Sequence, residues 1–197
     1  MCGPGCINFG STNLFLHEIQ NKRVIEIGSY NILLNGSLRD HIQSLNPSEY
    51  IGVDIETGKG VDIICPAENV LDKFGKESFD VVISTELLEH VLDWRKVISN
   101  MKNLCKPNGI ILITTRSIGF IFHTFPCDYW RYEISDIVSI FGDCIIKNIA
   151  LDDTDNNGPG VLVKIKKPDN FKEKDLSDYR LYFMAAGKRI LNISMEY

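Results

Sequence analysis

Short apolar runs alternate with amphipathic stretches along most of this chain. KRVIEIG, residues 22–28, is a β-branched run closed by glycine, which predicts a strand and a tight turn. GSLRDHIQSL, 36–45, has helical spacing. YIGVDI, 50–55, and the shorter VDIIC, 61–65, are two further strands. AENVLDKFG, 67–75, predicts a helix closed by Gly75. FDVVIS, 79–84, is a fourth strand. DWRKVISNMKNLC, 93–105, is a helix with Asp93 as N-cap, KPNG is a turn, and IILITT, 110–115, is a fifth strand. Strands and helices joined by a few residues predict an α/β fold: a doubly wound, mostly parallel sheet covered on both faces.

The C-terminal third changes pattern. EISDIVSIFG, 133–142, is helical, but CIIKNIAL, 144–151, and GVLVKIK, 160–166, are joined only by the polar DDTDNNGP. That loop suits a hairpin, so the expected seven-stranded sheet ends with an antiparallel strand. DLSDYRLYFMAAGKRILN, 175–192, predicts a closing amphipathic helix. One domain is expected over residues 1–197. It comprises an N-terminal extension (1–20), a ligand-binding core (22–150) with a lid at 120–132, and the C-terminal helix (170–197).

Composition changes the picture little. Apolar residues make up 44% and charged residues 24% of 197 positions, ordinary values for a globular chain. A net charge of −5 argues against affinity through a broad basic surface, so nucleic acid is not an expected partner. No apolar run approaches the roughly 20 residues of a membrane span, and MCGPGCINFG lacks the regions of a signal peptide; a cytoplasmic location is expected. The six cysteines resemble neither a disulfide framework nor a paired zinc site, and reduced thiols are expected.

In a doubly wound sheet, ligands sit beyond the C-terminal strand ends. Gly28 lets the backbone turn there and approach a ligand. Asp54 ends the second strand, where a carboxylate can accept hydrogen bonds from both ribose hydroxyls. Together they point to a nucleoside-like ligand. NAD is disfavoured, because Ser29, Tyr30 and Asn31 follow Gly28 and the GxGxxG pattern is missing.

STELLEHVLDW, 84–94, sets Glu86, Glu89 and His90 at the end of the fourth strand. A helical turn there would give the three one face by i, i+3 and i+4 spacing, with Leu87, Leu88 and Val91 opposite. Three readings are open: solvated charge, a general base at His90, or a metal site that binds substrate oxygens. HTFPCDYWRYE, 123–133, follows the fifth strand and is dense in aromatics. It is expected to act as a lid, with Asp128, Tyr129, Trp130 and Arg131 touching substrate; an aromatic plug over the sheet end is the alternative.

VIEIGSYNILLNGS, YIGVDI, VDIICPAENV, FDVVISTELLEHV and CKPNGIILITT follow in the order seen in class I S-adenosylmethionine-dependent methyltransferases. The chain resembles their small, single-domain, Rossmann-like type over about residues 22–150. The resemblance implies S-adenosylmethionine as cofactor. It places Glu26, Gly28, Ser29 and Tyr30 along the cofactor loop, Asp54 on the ribose, and Ile55, Ala67 and Glu68 about the adenine. Ser84 would lie by the methionine part. The usual further glycines after Gly28 are replaced here by SYNILLN, and the acid before the alanine by Pro66.

Methyl transfer to oxygen of a small-molecule or glycan acceptor is the function implied, with His90 as base and Glu89 and His123 beside it. ExxEH with a later histidine also resembles metal-dependent small-RNA 3′-terminal 2′-O-methyltransferases and ubiquinone-pathway O-methyltransferases. That likeness implies Glu86, Glu89, His90 and His123 as metal ligands and RNA ends as an alternative acceptor. A non-catalytic nucleoside-binding module is a further alternative, and a homodimer through the C-terminal helix is one more expectation.

Overall fold

The structure is a computed structural model that describes residues 3–31, 37–124 and 126–193. Its main sheet has seven strands: β1 (Arg23–Ile27), β2 (Glu49–Asp54), β3 (Ile63–Ile64), β4 (Phe79–Thr85), β5 (Cys105–Arg116), β7 (Ile145–Asp152) and β8 (Gly160–Lys166). Their order is β3-β2-β1-β4-β5-β8-β7. β1 to β5 pair in parallel, and β8 runs antiparallel to both its neighbours, as the hairpin pattern predicts. Within the described residues, no helix is long and apolar enough to cross a membrane.

β4 is buried at every position but Asp80 because both faces of the sheet are covered. On one face α5 (Trp94–Leu104) buries Trp94, Val97, Ile98, Met101 and Leu104 against Val82 and Ile111. Asp93 caps that helix, accepting a hydrogen bond from the backbone N–H of Lys96 at 3.0 Å. On the other face α1 (Pro4–Asn13), α2 (Leu16–Ile19) and α3 (Leu38–Ser44) supply Phe9, Ile19, Leu38 and Ile42, with Leu14 from the α1–α2 link, against Val81 and Ile83. The segment expected to be an N-terminal extension therefore packs into the core.

Three other local expectations change. Residues 67–75 split into a 3-10 turn (Ala67–Asn69) and a short helix, α4 (Val70–Phe74), closed by Gly75 at φ +80°. β5 begins at Cys105, so KPNG lies inside it, with Asn108 in the left-handed region at φ +63°. Cys65, Cys105, Cys127 and Cys144 are free thiols, but Cys6 is disulfide-bonded; Cys2 lies outside the described residues.

The largest correction is the expected C-terminal helix. Residues 175–192 instead form β9 (Leu181–Phe183) and β10 (Lys188–Ile190), joined by a tight turn with Gly187 at φ +60°. β9 pairs with β6 (Trp130–Arg131) in a second, three-stranded sheet. Leu181 and Phe183 point inward while Tyr182 does not, the period of a strand. Arg189 ties this hairpin to α6 (Ile134–Ile140) through Glu133 and Asp136. A dimer through a C-terminal helix loses its basis.

Candidate active site

β1, β2 and β4 end around a cleft of about 690 Å³. At the end of β1, Gly28 turns with φ +81°, and a Cβ there would meet the Leu87 Cβ at 2.9 Å. The N–H groups of Gly28 and Ser29 both donate to the Val53 carbonyl, which pins the turn to β2. The Asp54 carboxylate is aimed by three backbone donors: Tyr30 at 3.0 Å on Oδ2, Ile55 at 2.7 Å and Glu56 at 3.3 Å on Oδ1. Each oxygen keeps lone-pair capacity toward the cleft. Ile55 is 50% exposed beside it, an apolar face against which a purine can lie. Ala67 and Glu68 line the same wall, and Asn100 holds their turn through both carbonyls at 2.9 Å.

Glu26 also lines this half. Tyr50 Oη donates to one of its oxygens and Thr85 Oγ1 to the other at 3.4 Å. Burial outweighs these donors and pushes its carboxyl up to about 7. Ser84 is fully buried and does not reach the cleft. Alternation along β4 presents Thr85 there instead.

Past β4 the chain does not form the expected helical turn. Glu86 sits at φ +53°, and the turn closes only with the His90 N–H donating to the Leu87 carbonyl at 2.8 Å. Glu86 and Glu89 therefore separate, received by opposite faces of β5. Thr114, which donates to Glu86 at 2.8 Å, and Arg116, which pairs with it, share one face; Thr115, which donates to Glu89 at 2.9 Å, takes the other. Burial first, then the Glu89 charge, pushes the Glu86 carboxyl up to about 7 against the pull of Arg116. Glu89 is completely buried rather than on a polar surface.

Glu89, His90 and His123 do converge, each offering a ligand atom within 4.8 Å of the others; Glu86 is not in that cluster. His90 Nδ1 donates to the Cys127 carbonyl, which leaves Nε2 as the basic nitrogen of the neutral ring. That Nε2 lies 3.8 Å from Glu89 Oε1, an oxygen with no hydrogen bond of its own. The His90 and His123 rings meet edge to face at 4.9 Å.

A family model described as a methyltransferase domain matches residues 10–139. This chain belongs to that family, and its fold is the class I, Rossmann-like one. A ubiquinone biosynthesis O-methyltransferase from Paraburkholderia phymatum is 30% identical over 123 residues, covering 57% of this chain and 53% of its own. The chain spans 27% to 53% of the length of the first such relatives it matches. An S-adenosylmethionine-dependent methyltransferase from Mesorhizobium loti shares the fold at TM-score 0.63 and 12% identity, over 84% of this chain and 98% of its own. So does 1,6-didemethyltoxoflavin-N1-methyltransferase from Burkholderia thailandensis, solved with S-adenosylhomocysteine, at TM-score 0.61 and 13% identity, over 83% and 78%.

The residues present fit the family's cofactor. The strand-end cleft needs Gly28 to have no side chain, Asp54 offers aimed acceptors, and the buried Ser29 Oγ lacks a partner. Of the expected substrate contacts, only Tyr129 lines the cleft. Trp130 is buried between Trp94 and Phe183, its indole N–H donating to the Val91 carbonyl at 2.9 Å. Arg131 is fully buried and grips Asp128 with both nitrogens. Burial opposes a charge on Asp128, but Arg131 and the His123 donors prevail and hold its carboxyl well below the usual range. The aromatic segment is thus mainly an anchor, and Asp128 orients His123 instead of binding substrate.

Sequence reasoning missed Thr85, Thr115 and Arg116, and missed Ile7, which reaches the cleft from α1. Period-2 alternation through ITTR could have located the β5 residues. Nothing local marks Ile7.

Proposed function

We propose that this methyltransferase transfers a methyl group from S-adenosylmethionine to a hydroxyl oxygen of a small-molecule acceptor, with His90 as the base. The observation that carries the reading is that His90 and His123, which cluster with Glu89, line the same cleft as Gly28 and Asp54. S-adenosylmethionine supplies an electrophilic methyl on a sulfonium, which becomes a neutral thioether as the acceptor oxygen takes the methyl. Asp54 accepts from the ribose hydroxyls, Ile55 packs on the adenine, and Tyr30, Ala67 and Glu68 border it. His90 Nε2 takes the hydroxyl proton. The buried Glu89 carboxylate then stabilises the imidazolium, and Asp128 holds the neighbouring His123 ring. Fixing the reactants in line accounts for much of the rate, since alignment can contribute about 7–11 kcal/mol. The name of the O-methyltransferase relatives supports oxygen as the acceptor atom.

A second reading rests on one observation. Glu89 Oε1 is buried without a hydrogen bond, His90 Nδ1 is engaged by a carbonyl, and the Asp128 carboxylate lies 3.1 Å from His123 Nδ1. That is how metal-bound histidines are usually held. Glu89, His90 and His123 would then hold a divalent cation that binds the acceptor oxygen.

His90→Ala should leave S-adenosylhomocysteine binding nearly intact and lower methyl transfer by roughly 10²–10⁴-fold. A fully active His90→Ala would remove His90 from the chemistry. In the metal reading, EDTA abolishes transfer, Mn²⁺ or Zn²⁺ restores it, and Glu89→Gln loses the bound metal in direct metal analysis. An EDTA-insensitive wild type leaves His90 as the base alone.

A further inference from the structure

The segment that carries His123 is braced by a part of the chain outside the family match. After β5, residues 117–124 run to the cleft, which His123 and Thr124 line. The tip of the β7–β8 hairpin, residues 153–159, lies against that segment. The family model ends at residue 139, well before the tip.

The contact is made by backbone. The Ser117 N–H donates to the Pro159 carbonyl and the Ile121 N–H to the Asn157 carbonyl, both at 2.9 Å. Between those two acceptors Gly158 sits at φ +127°, where any other side chain is strained. A Cβ there would fall 2.5 Å from Phe120 Cα and 2.6 Å from the Gly119 carbonyl oxygen. Both are main-chain atoms, so no rotamer change relieves the overlap and the 117–124 segment itself would have to shift. Asp155 closes the tip: its Oδ1 accepts the Asn157 N–H at 2.9 Å, and its carbonyl accepts the Gly158 N–H at 3.1 Å. Its Oδ2 lies 3.3 Å from an Arg116 nitrogen.

Phe120 links this brace to the histidines. The Arg116 guanidinium lies over its ring at 4.0 Å, and the same ring meets His123 edge to face at 5.2 Å. His123 in turn meets His90 at 4.9 Å. Gly28 and Asp54 stand apart from this chain of contacts, because β4 and β5 separate β1 and β2 from β8.

We propose that Gly158 and Asp155 are positioning residues, which set where the 117–124 segment lies and so where the His123 ring meets His90. Neither lines the cleft. This rests on the methyl-transfer reading above and adds to it an element that acts only through the histidines. Displacing a reacting group by about 1 Å can cost roughly 10²-fold in rate, so a brace remote from the cleft has leverage on turnover.

The test is proton NMR of the histidine rings together with calorimetry of S-adenosylhomocysteine. The chain has four histidines, His17, His41, His90 and His123, and His90→Gln and His123→Gln assign the two in the cleft. Gly158→Ala should move the ring signals of His123 and His90, leave those of His17 and His41 in place, and keep the S-adenosylhomocysteine affinity. Asp155→Ala, which opens the tip without adding a clash, should move the same two signals less far, and it decides the matter if Gly158→Ala does not fold. Asn156→Ala, exposed in the same tip, should move none of the four. Unmoved His90 and His123 signals in the folded variants would overturn the positioning role. So would a shift of all four histidines with lost S-adenosylhomocysteine binding, which would make the tip a support of the whole fold. A wild type that does not bind S-adenosylhomocysteine would instead sink the methyl-transfer reading itself.

Discussion

Asp128 Oδ2 accepts the backbone N–H of His123 at 2.9 Å and lies 3.1 Å from the same residue's ring Nδ1. One carboxylate thereby holds the backbone of a cleft histidine and lies beside its ring, while Arg131 holds that carboxylate from behind. Asp128→Ala would strand the fully buried Arg131 cation, at a cost of about 3–5 kcal/mol in denaturant unfolding. Asp128→Asn keeps the shape. It should slow methyl transfer more than it weakens S-adenosylhomocysteine binding, and equal losses in both would make Asp128 purely structural.

Glu26 predicts a pH dependence of stability. Its carboxyl rises from 4.5 to about 7 on burial, so between those values the folded chain keeps a proton that the unfolded chain has released. Stability is then greatest below about 4.5 for this group and falls as pH rises through 7, by on the order of 3 kcal/mol. Glu86 adds a slope of the same sign; Asp128, whose carboxyl is lowered, contributes the opposite sign at lower pH. Unfolding midpoints measured at pH 5 and 7.5 should differ less in Glu26→Gln than in wild type. An unchanged difference would place Glu26 in a more solvated setting.

Trp130 predicts a stability effect and not a substrate effect. Its ring is buried between Trp94 and Phe183, where it ties the second sheet to the core. Trp130→Ala should cost about 3–5 kcal/mol of unfolding free energy, while the folded fraction keeps its S-adenosylhomocysteine affinity. A variant of normal stability and impaired turnover would return Trp130 to the role of lid.

The main sheet was legible because its signals are local. Val24 to Ile27, Val81 to Ile83 and Val161 to Ile165 are apolar runs, broken only by Glu26 and Lys164, and Asp93, Gly75 and Gly28 mark ends by their own chemistry. Asp54 could be placed at a ligand because a strand end is a position in sequence as well as in space. The β9–β10 hairpin was not legible. Its partner β6 is two residues long and some fifty positions away, and three alternating residues carry too little of a period-2 signal. Glu86 was misplaced for a similar reason. Its distance from the histidines is set by the register that pairs Thr85 with Thr114, which decides which face of β5 receives each acid.

The central claim is that this strand-end cleft holds S-adenosylmethionine with Asp54 on its ribose. Calorimetric titration of S-adenosylhomocysteine into wild type and Asp54→Ala tests it directly. The account predicts micromolar binding to wild type and a loss of about 1.5–3 kcal/mol in the variant, from two charge-assisted hydrogen bonds. Equal affinity in the two proteins, or no binding to wild type, would contradict it.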